Sequence, residues 1–443
     1  MTIVDALDTL WLAGEEEEFS RGVEWVKDHM SVTVDKDVNT FETTIRVLGG
    51  LLSAHHLSGE SALLEKAKDL GDRLAAAYTS RSGVPHSDVN LKSRRAFNPA
   101  GDSSLSEATT VQLEFKYLSE LTGDKSFALS ADQAMEAVDS ARWALSGERD
   151  GLVPIFISPD TGRFNPAATI TLGARGDSYY EYLLKQWLFS GKEDGKYLVR
   201  YRRAVSAIQE HLVARSERHE MLFVGELLHG NTFSPKMDHL VCFLPRRRRR
   251  RGAGDGAEWG GEGGGAGAGR SHLELARGLM RTCFEMYNST ETGLSPEIAH
   301  FRYAGSGGEE TEGGGDDLII KPRDAHYILR PEMVESLYYM YWVTGDSTYQ
   351  EWGWAVFQSL ERHCRVETGG YAGLQDVRSA GGQRVDKMET FFLAETLKYL
   401  LLLFSEEDPL GLKDYILNTE AHPFPVKGRP LVRETAAAAA AAA

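Results

Sequence analysis

A carboxylate stands at the start of each of seven strongly apolar segments: Asp5 with Asp8, Glu42, Glu107, Asp177, Asp238, Glu332 and Glu389. Any one of them could be explained by the helix dipole, which favours an acid in the first turn by about 0.3–1 kcal/mol. Seven in register, with arginines beside several, point instead to a shared site. Arg46 follows Glu42 by one helical turn, and Arg175 and Arg330 stand just before Asp177 and Glu332. An arginine at that range holds a carboxylate ionised or grips sugar hydroxyls through paired hydrogen bonds. Crowded acids also raise one another's pKa, so that a protonated carboxyl can stand beside an ionised one. Hydrolysis of a glycosidic bond needs that pair: a donor for the leaving oxygen, and a base or nucleophile for the anomeric carbon. A hard cation is the other way to relieve the crowding, and calcium prefers oxygen ligands. The sequence has no EF-hand loop and no His-Glu-x-x-His, so a calcium site would have to be assembled from distant segments.

The elements that must position these acids repeat along the chain. Leu57-Ser58-Gly59-Glu60 recurs as Leu121-Thr122-Gly123-Asp124, Phe189-Ser190-Gly191-Lys192 and Val343-Thr344-Gly345-Asp346. The spacing is roughly 65 residues, then about twice that plus an insertion. Each unit reads as an apolar helix, a turn whose glycine ends it in the left-handed conformation, and a more polar helix. Phe41 to His56, Tyr179 to Leu188 and Val334 to Trp342 fit the apolar class; Leu63 to Ala77, Phe127 to Ala144, Tyr197 to Val213 and Tyr349 to His363 are amphipathic. Strand patterns are scarce, and stretches such as Leu152 to Phe156 would form short hairpins at one rim. Alternating buried and half-exposed helices predict an all-α toroid with inner and outer rings, an (αα)7 barrel. Inner helices of such a barrel run in parallel, so their acidic N-terminal ends would share one mouth.

Composition sets the outer limits. The 443 residues carry 49 Lys+Arg against 65 Asp+Glu, a net charge of −16, with 42% hydrophobic residues. The mix is that of a globular chain. The acidic balance argues against a nucleic-acid partner. No apolar run reaches the ~18–20 residues that span a bilayer, and no signal peptide is visible, so a soluble chain is expected. Cys242, Cys283 and Cys364 form no Cys-x-x-Cys pair; one bridge and one free thiol would suit an oxidising compartment. Arg246 to Arg251 and the Gly-rich stretch after it, and Gly305 to Gly315, read as insertions in loops. The arginine run is more simply a solvated charge run than an anion-binding patch.

Seven blocks in order carry a resemblance to the class I α-1,2-mannosidases, glycoside hydrolase family 47. They are Thr2 to Trp11, Phe41 to Gly50, Leu172 to Tyr182, Lys236 to Leu240, Leu329 to Ser336, Phe391 to Tyr399 and Asn418 to Pro423. They extend over nearly the whole chain outside the Gly-rich stretches, and the match is best to the endoplasmic-reticulum type. The resemblance implies calcium-dependent, inverting hydrolysis of terminal α-1,2-linked mannose from high-mannose N-glycans. By position Glu42 resembles the general acid, acting directly or through a water, Glu332 the general base and Asp177 a third essential carboxylate. The three are taken as a set. Thr419 would bind calcium directly, with waters held by Glu107, Glu332, Glu335, Glu395 and Glu420. Phe391 would stack on the sugar, while Arg46, Arg330, His239 and Glu395 would line the pocket. Arginine at 175 marks the endoplasmic-reticulum type and implies one dominant eight-mannose product from a nine-mannose glycan; the alternative is that it only pairs with Asp177. Cys242 and Cys283 match the family's structural disulfide, which leaves Cys364 free. Asn288-Ser289-Thr290 is a glycosylation sequon.

The resemblance also sets expectations for organisation and place. One catalytic domain is expected over 1–435, lacking its first outer helix and so exposing apolar surface near Trp11, with insertions about 246–270 and 305–316 and a poly-Ala tail at 436–443. A monomer is expected in the lumen of the endoplasmic reticulum or early Golgi, acting in N-glycan processing and quality control. Full-length relatives of the family are type II membrane proteins, and this chain shows no membrane segment. The alternative function is a weakly catalytic or non-catalytic mannose-glycan-binding factor in the degradation of misfolded glycoproteins.

Overall fold

The four repeated turns do what their glycines allow. Gly59, Gly123, Gly191 and Gly345 all take positive φ, at 74°, 74°, 67° and 72°, so each apolar helix stops there and the chain reverses into an amphipathic one. The computed structural model describes residues 1–143, 150–245, 272–303 and 317–427. The insertions expected about 246–270 and 305–316, and the tail at 436–443, lie outside the described residues.

Among the described residues, seven inner elements follow one another around a ring. They are Thr2–Leu12, 40–58, 105–122 (two short helices), Asp177–Phe189, the 3₁₀ turn His239–Phe243, Glu332–Thr344 and 392–404. The last packs on the first. The amphipathic helices Glu16–Asp28, Ser61–Leu74, Ser126–Trp143, Gly195–His211, His272–Asn288 and Thr348–His363 form the outer layer, each against an inner partner. The inner helices are buried nearly all round; Gly49–Ser58 has all ten residues inside. Close approach needs small residues there: a Cβ on Gly50 would come within 2.7 Å of the Val4 carbonyl oxygen. The Glu16–Asp28 helix packs beside Trp11, whose ring is half-buried and 5.0 Å from Phe19, edge to face. Among the described residues, exposed apolar side chains include Met1 and Ile3 at the start of the first inner element and Trp25 on its outer partner, as well as Leu129, Val199, Trp354 and Phe404.

Short antiparallel strands run into the N-terminal ends of the inner elements and mark the mouth. Asp37–Asn39 pairs with Asp88–Asn90, with Val38 opposite Val89, and leads into the helical segment at 40. Ser103–Ser104 pairs with Phe156–Ile157 before residue 105, and Lys236–Asp238 pairs with Ile298–Phe301 before residue 239. A last hairpin, Tyr415–Leu417 with Pro423–Pro425, enters from the other end. Its Phe424 packs on Tyr117, with ring centroids 5.3 Å apart, and the Tyr415 hydroxyl meets His56 Nε2 at 3.2 Å. Those partners are at the C-terminal ends of inner helices, so the hairpin's tip, 418–422, points up the axis toward the mouth.

Candidate active site

The inner N-terminal ends enclose a pocket of about 450 Å³. Glu42, Arg46, Glu107, Arg175, Asp177, Arg330, Glu332, Glu335, Phe391, Glu395, Thr419 and Glu420 all line it. The side chains expected there from sequence therefore converge, with one exception. His239 is fully buried behind Glu332. Its Nδ1 faces Glu332 Oε2 at 2.9 Å, and its Nε2 faces the Tyr287 hydroxyl at 2.8 Å. Both ring nitrogens are thus committed, and the imidazole orients the carboxylate instead of meeting a ligand.

At three of the seven helix starts the acids also depart from expectation. Asp5 and Asp8 sit in the core, bonded to His422, with Lys398 on Asp8 at 2.8 Å. Asp238 props the turn before Asp177: its Oδ2 accepts from the Ala174 N–H at 3.3 Å, and its Oδ1 pairs with Lys236 at 2.8 Å. A Cβ on Gly173 would lie 2.0 Å from that Oδ2, so glycine makes the contact feasible. Glu389 pairs with Lys387 at 2.5 Å. First-turn acids serve as caps and ion-pair partners as readily as site residues, and sequence spacing does not separate the cases.

Two of the pocket acids are pushed in opposite directions. Burial raises the Asp177 carboxyl to about 7, against hydrogen bonds from the Ser178 N–H at 2.7 Å and the Ser106 hydroxyl at 2.9 Å. Burial also opposes ionisation of Glu332, but Arg330 and His239 outweigh it and hold its carboxyl below the usual range. Arg330 is fixed by two contacts of its Nε to Glu297, each 3.1 Å. Across the pocket Arg46 bridges Glu42 at 2.7 Å and Glu420 at 2.6 Å. Both guanidinium groups also lie over the Phe391 ring, 5.7 and 5.6 Å from its centroid. Arg175, at the exposed edge, lies 5.1 Å from the Phe156 ring centroid. Glu107 is held by Asn39 Nδ2 at 2.7 Å and by the Ser104 N–H at 2.7 Å.

The floor is rich in oxygen donors. The Thr419 hydroxyl donates to Glu181 at 3.0 Å, and the Tyr399 hydroxyl donates to Glu335 at 3.0 Å. Burial and mutual repulsion among Glu395, Glu420, Glu332 and Glu335 raise Glu395 well above the carboxylate range. Burial raises Glu420 as well, against Arg46. Among the described residues no group of three His, Cys, Asp or Glu side chains is arranged to hold a metal directly. A hydroxyl and a carbonyl at Thr419 above crowded carboxylates are nevertheless a fitting donor set for a hard cation reached partly through water.

A sequence model of glycosyl hydrolase family 47 matches residues 1–426. The chain belongs to that family. The family 47 chain is 48% identical over 431 residues to the human endoplasmic reticulum mannosyl-oligosaccharide 1,2-alpha-mannosidase, covering 96% of this chain and 58% of that protein. The corresponding rat protein is 47% identical, with 96% and 62% covered. The chain therefore spans about three fifths of the length of these relatives. An alpha-1,2-mannosidase from Trichoderma reesei superposes with a TM-score of 0.84 at 27% identity, covering 96% of this chain and 90% of that one.

Several residues of the family 47 pocket escaped the sequence reading. Tyr287, Glu297, Glu181 and Ser106 each hold a site side chain from a distant segment, and nothing in their local spacing marks them. Arg46 and Glu395 both sit in π-helical turns, Thr43–Leu48 and Phe392–Thr396, a distortion that recurs at functional sites. Arg175, Leu329 and Ala421 take positive φ of 76°, 69° and 58°, each next to a pocket residue. The expected disulfide is present: Cys242 is bonded to Cys283, with Cα atoms 5.9 Å apart, and Cys364 is free and buried. Among the described residues no helix is long and apolar enough to cross a membrane.

Proposed function

We propose that the chain hydrolyses terminal α-1,2-linked mannose from high-mannose N-glycans, with inversion and with calcium. It would act in the lumen of the endoplasmic reticulum or early Golgi, in N-glycan processing and glycoprotein quality control. The observation that carries this is one pocket holding an ionised Glu332 and a proton-retaining Asp177 beside Glu42 and Phe391. Relatives named for this activity at 47–48% identity support the same reading.

In this mechanism Phe391 stacks on the terminal mannose, and Arg46 and Arg330 flank it. Glu332, oriented by His239 and kept ionised by Arg330, takes a proton from the attacking water. On the other side the leaving oxygen receives its proton from the Glu42–Asp177 pair, either directly from Glu42 or through a water. Inversion follows because water attacks the face opposite the leaving group. Thr419 would hold calcium through its hydroxyl and carbonyl, with Glu107, Glu335, Glu395 and Glu420 placing waters around it. Calcium bound there supplies coordination of sugar hydroxyls. Arg175, at the edge, would meet the rest of the glycan and favour one branch.

The test is a digest of a nine-mannose N-glycan with calcium or with a chelator. Loss of one mannose only with calcium, giving a single eight-mannose isomer, is the expected result. A folded protein that binds the glycan and releases no mannose would contradict the reading and favour a glycan-binding factor.

A further inference from the structure

We infer that Asn288 carries an N-linked oligosaccharide. The inference rests on the lumenal placement proposed above. Asn288-Ser289-Thr290 is the single Asn-x-Ser/Thr sequence in the chain, so any N-glycan has one address.

The structure adds three reasons to the motif. Asn288 is the last residue of the His272–Asn288 helix and is exposed, as is Ser289. The helix turns its inward face away from it: Cys283, Met286 and Tyr287 are buried, and Tyr287 reaches His239. A sugar on Asn288 therefore leaves on the solvent side and displaces no packed group. Beside it lies a cleft of about 1130 Å³ walled in part by Ser289, Arg277, Arg281 and Arg378, which gives a branched glycan room. One turn earlier Cys283 is bonded to Cys242, and disulfides persist in the compartments where such sequons are modified.

The fold also fixes when the transfer can occur. The Thr290 hydroxyl, with one proton to donate, lies within hydrogen-bond distance of the carbonyls of Tyr287, at 3.0 Å, and Leu294, at 2.8 Å. The sequon is open to a transferase only before this turn closes, so modification accompanies chain entry. In the transfer, Asn288 Nδ2 attacks the anomeric carbon of a lipid-diphosphate-linked oligosaccharide. An N–C bond forms and the C–O bond to diphosphate breaks. The electron pair leaves with the lipid diphosphate, and the amide proton passes to a base of the transferase.

The test expresses the full chain behind a cleavable signal peptide in a eukaryotic secretory host. Peptide-N-glycosidase in ¹⁸O-water should lower the mass by one glycan and convert Asn288 to labelled aspartate. Asn288→Gln and Thr290→Ala should each abolish the shift, while Thr290→Ser retains it. Asn288→Gln should leave mannose release unchanged. An unmodified Asn288 peptide in protein whose Cys242–Cys283 bond is closed overturns the inference, because the closed bond shows that the chain entered the oxidising lumen. Mannose release by such unglycosylated protein overturns this inference alone and leaves the proposed function standing. A glycosylated chain that releases no mannose supports this inference and counts against the activity.

Discussion

Burial opposes the ionisation of both Asp177 and Glu332. What separates them is their partners: Arg330 and His239 on Glu332, hydroxyl and backbone donors on Asp177. Asp177, the proposed proton-holding member of the donor pair, has a pKa of about 7 and loses its proton above that pH, so kcat/KM should fall on the alkaline side with a limb near 7. A pH–rate profile checks this. Glu332→Gln removes the proposed base and should lower kcat by about 10²- to 10⁴-fold, with the glycan still bound in a titration. At this scale Glu42, Glu107, Asp177 and Glu332, with Arg46, Arg175 and Arg330, were legible because they flank the apolar repeat, whereas Glu335, Glu395 and Glu420 were named only through the family resemblance. His239 was not placed correctly, since a buried imidazole bridging Glu332 and Tyr287 depends on a strand and an outer helix far away in the chain.

The tip of the last hairpin shows how an element is made to carry a site. Asn418 accepts from the N–H groups of Glu420 and His422 at 2.9 and 2.8 Å. His422 anchors the tip to the first inner helix through Asp8 at 2.7 Å and Asp5 at 3.1 Å, all fully buried. Burial opposes His422's charge, but the two aspartates raise its pKa from 6.5 to about 9. That contribution to stability is complete below 6.5 and is lost as pH rises through 9. Burial likewise opposes ionisation of Asp8, but Lys398 and His422 lower its pKa from 3.8 to about 2, so its contribution is present above 3.8 and lost as pH falls through 2. His422→Gln leaves buried acids without their partner and should cost about 3–5 kcal/mol. Denaturant unfolding at several pH values measures the loss, which should shrink above pH 9. The helices themselves were readable from periodicity and turn glycines to within a few residues. The π-helical turns and the left-handed Arg175, Leu329 and Ala421 were not, because the surrounding fold imposes them against local preference at about 1–3 kcal/mol each.

For the whole molecule, the ring closes when the last inner element meets the first, so stability depends on contacts between residues far apart in sequence. The Cys242–Cys283 bond is the one covalent brace among the described residues, closing a separation of 41 residues. Chain entropy gives it about 3–4 kcal/mol, and Cys242→Ser combined with Cys283→Ser should lose that amount in urea unfolding. Cys364 should stay unreactive to thiol reagents in the native state, since burial raises its thiol to about 12. The ring order was legible because seven apolar segments recur. The bracing of its floor by the C-terminal hairpin was not, since three-residue strands carry too little pattern to fix a register.

The central claim is a water activated by Glu332 opposite a protonated donor. The most direct measurement is proton NMR of the first mannose released from a nine-mannose glycan, before mutarotation. The account predicts β-mannose as the initial product. Initial α-mannose would show retention through a covalent intermediate and would contradict it.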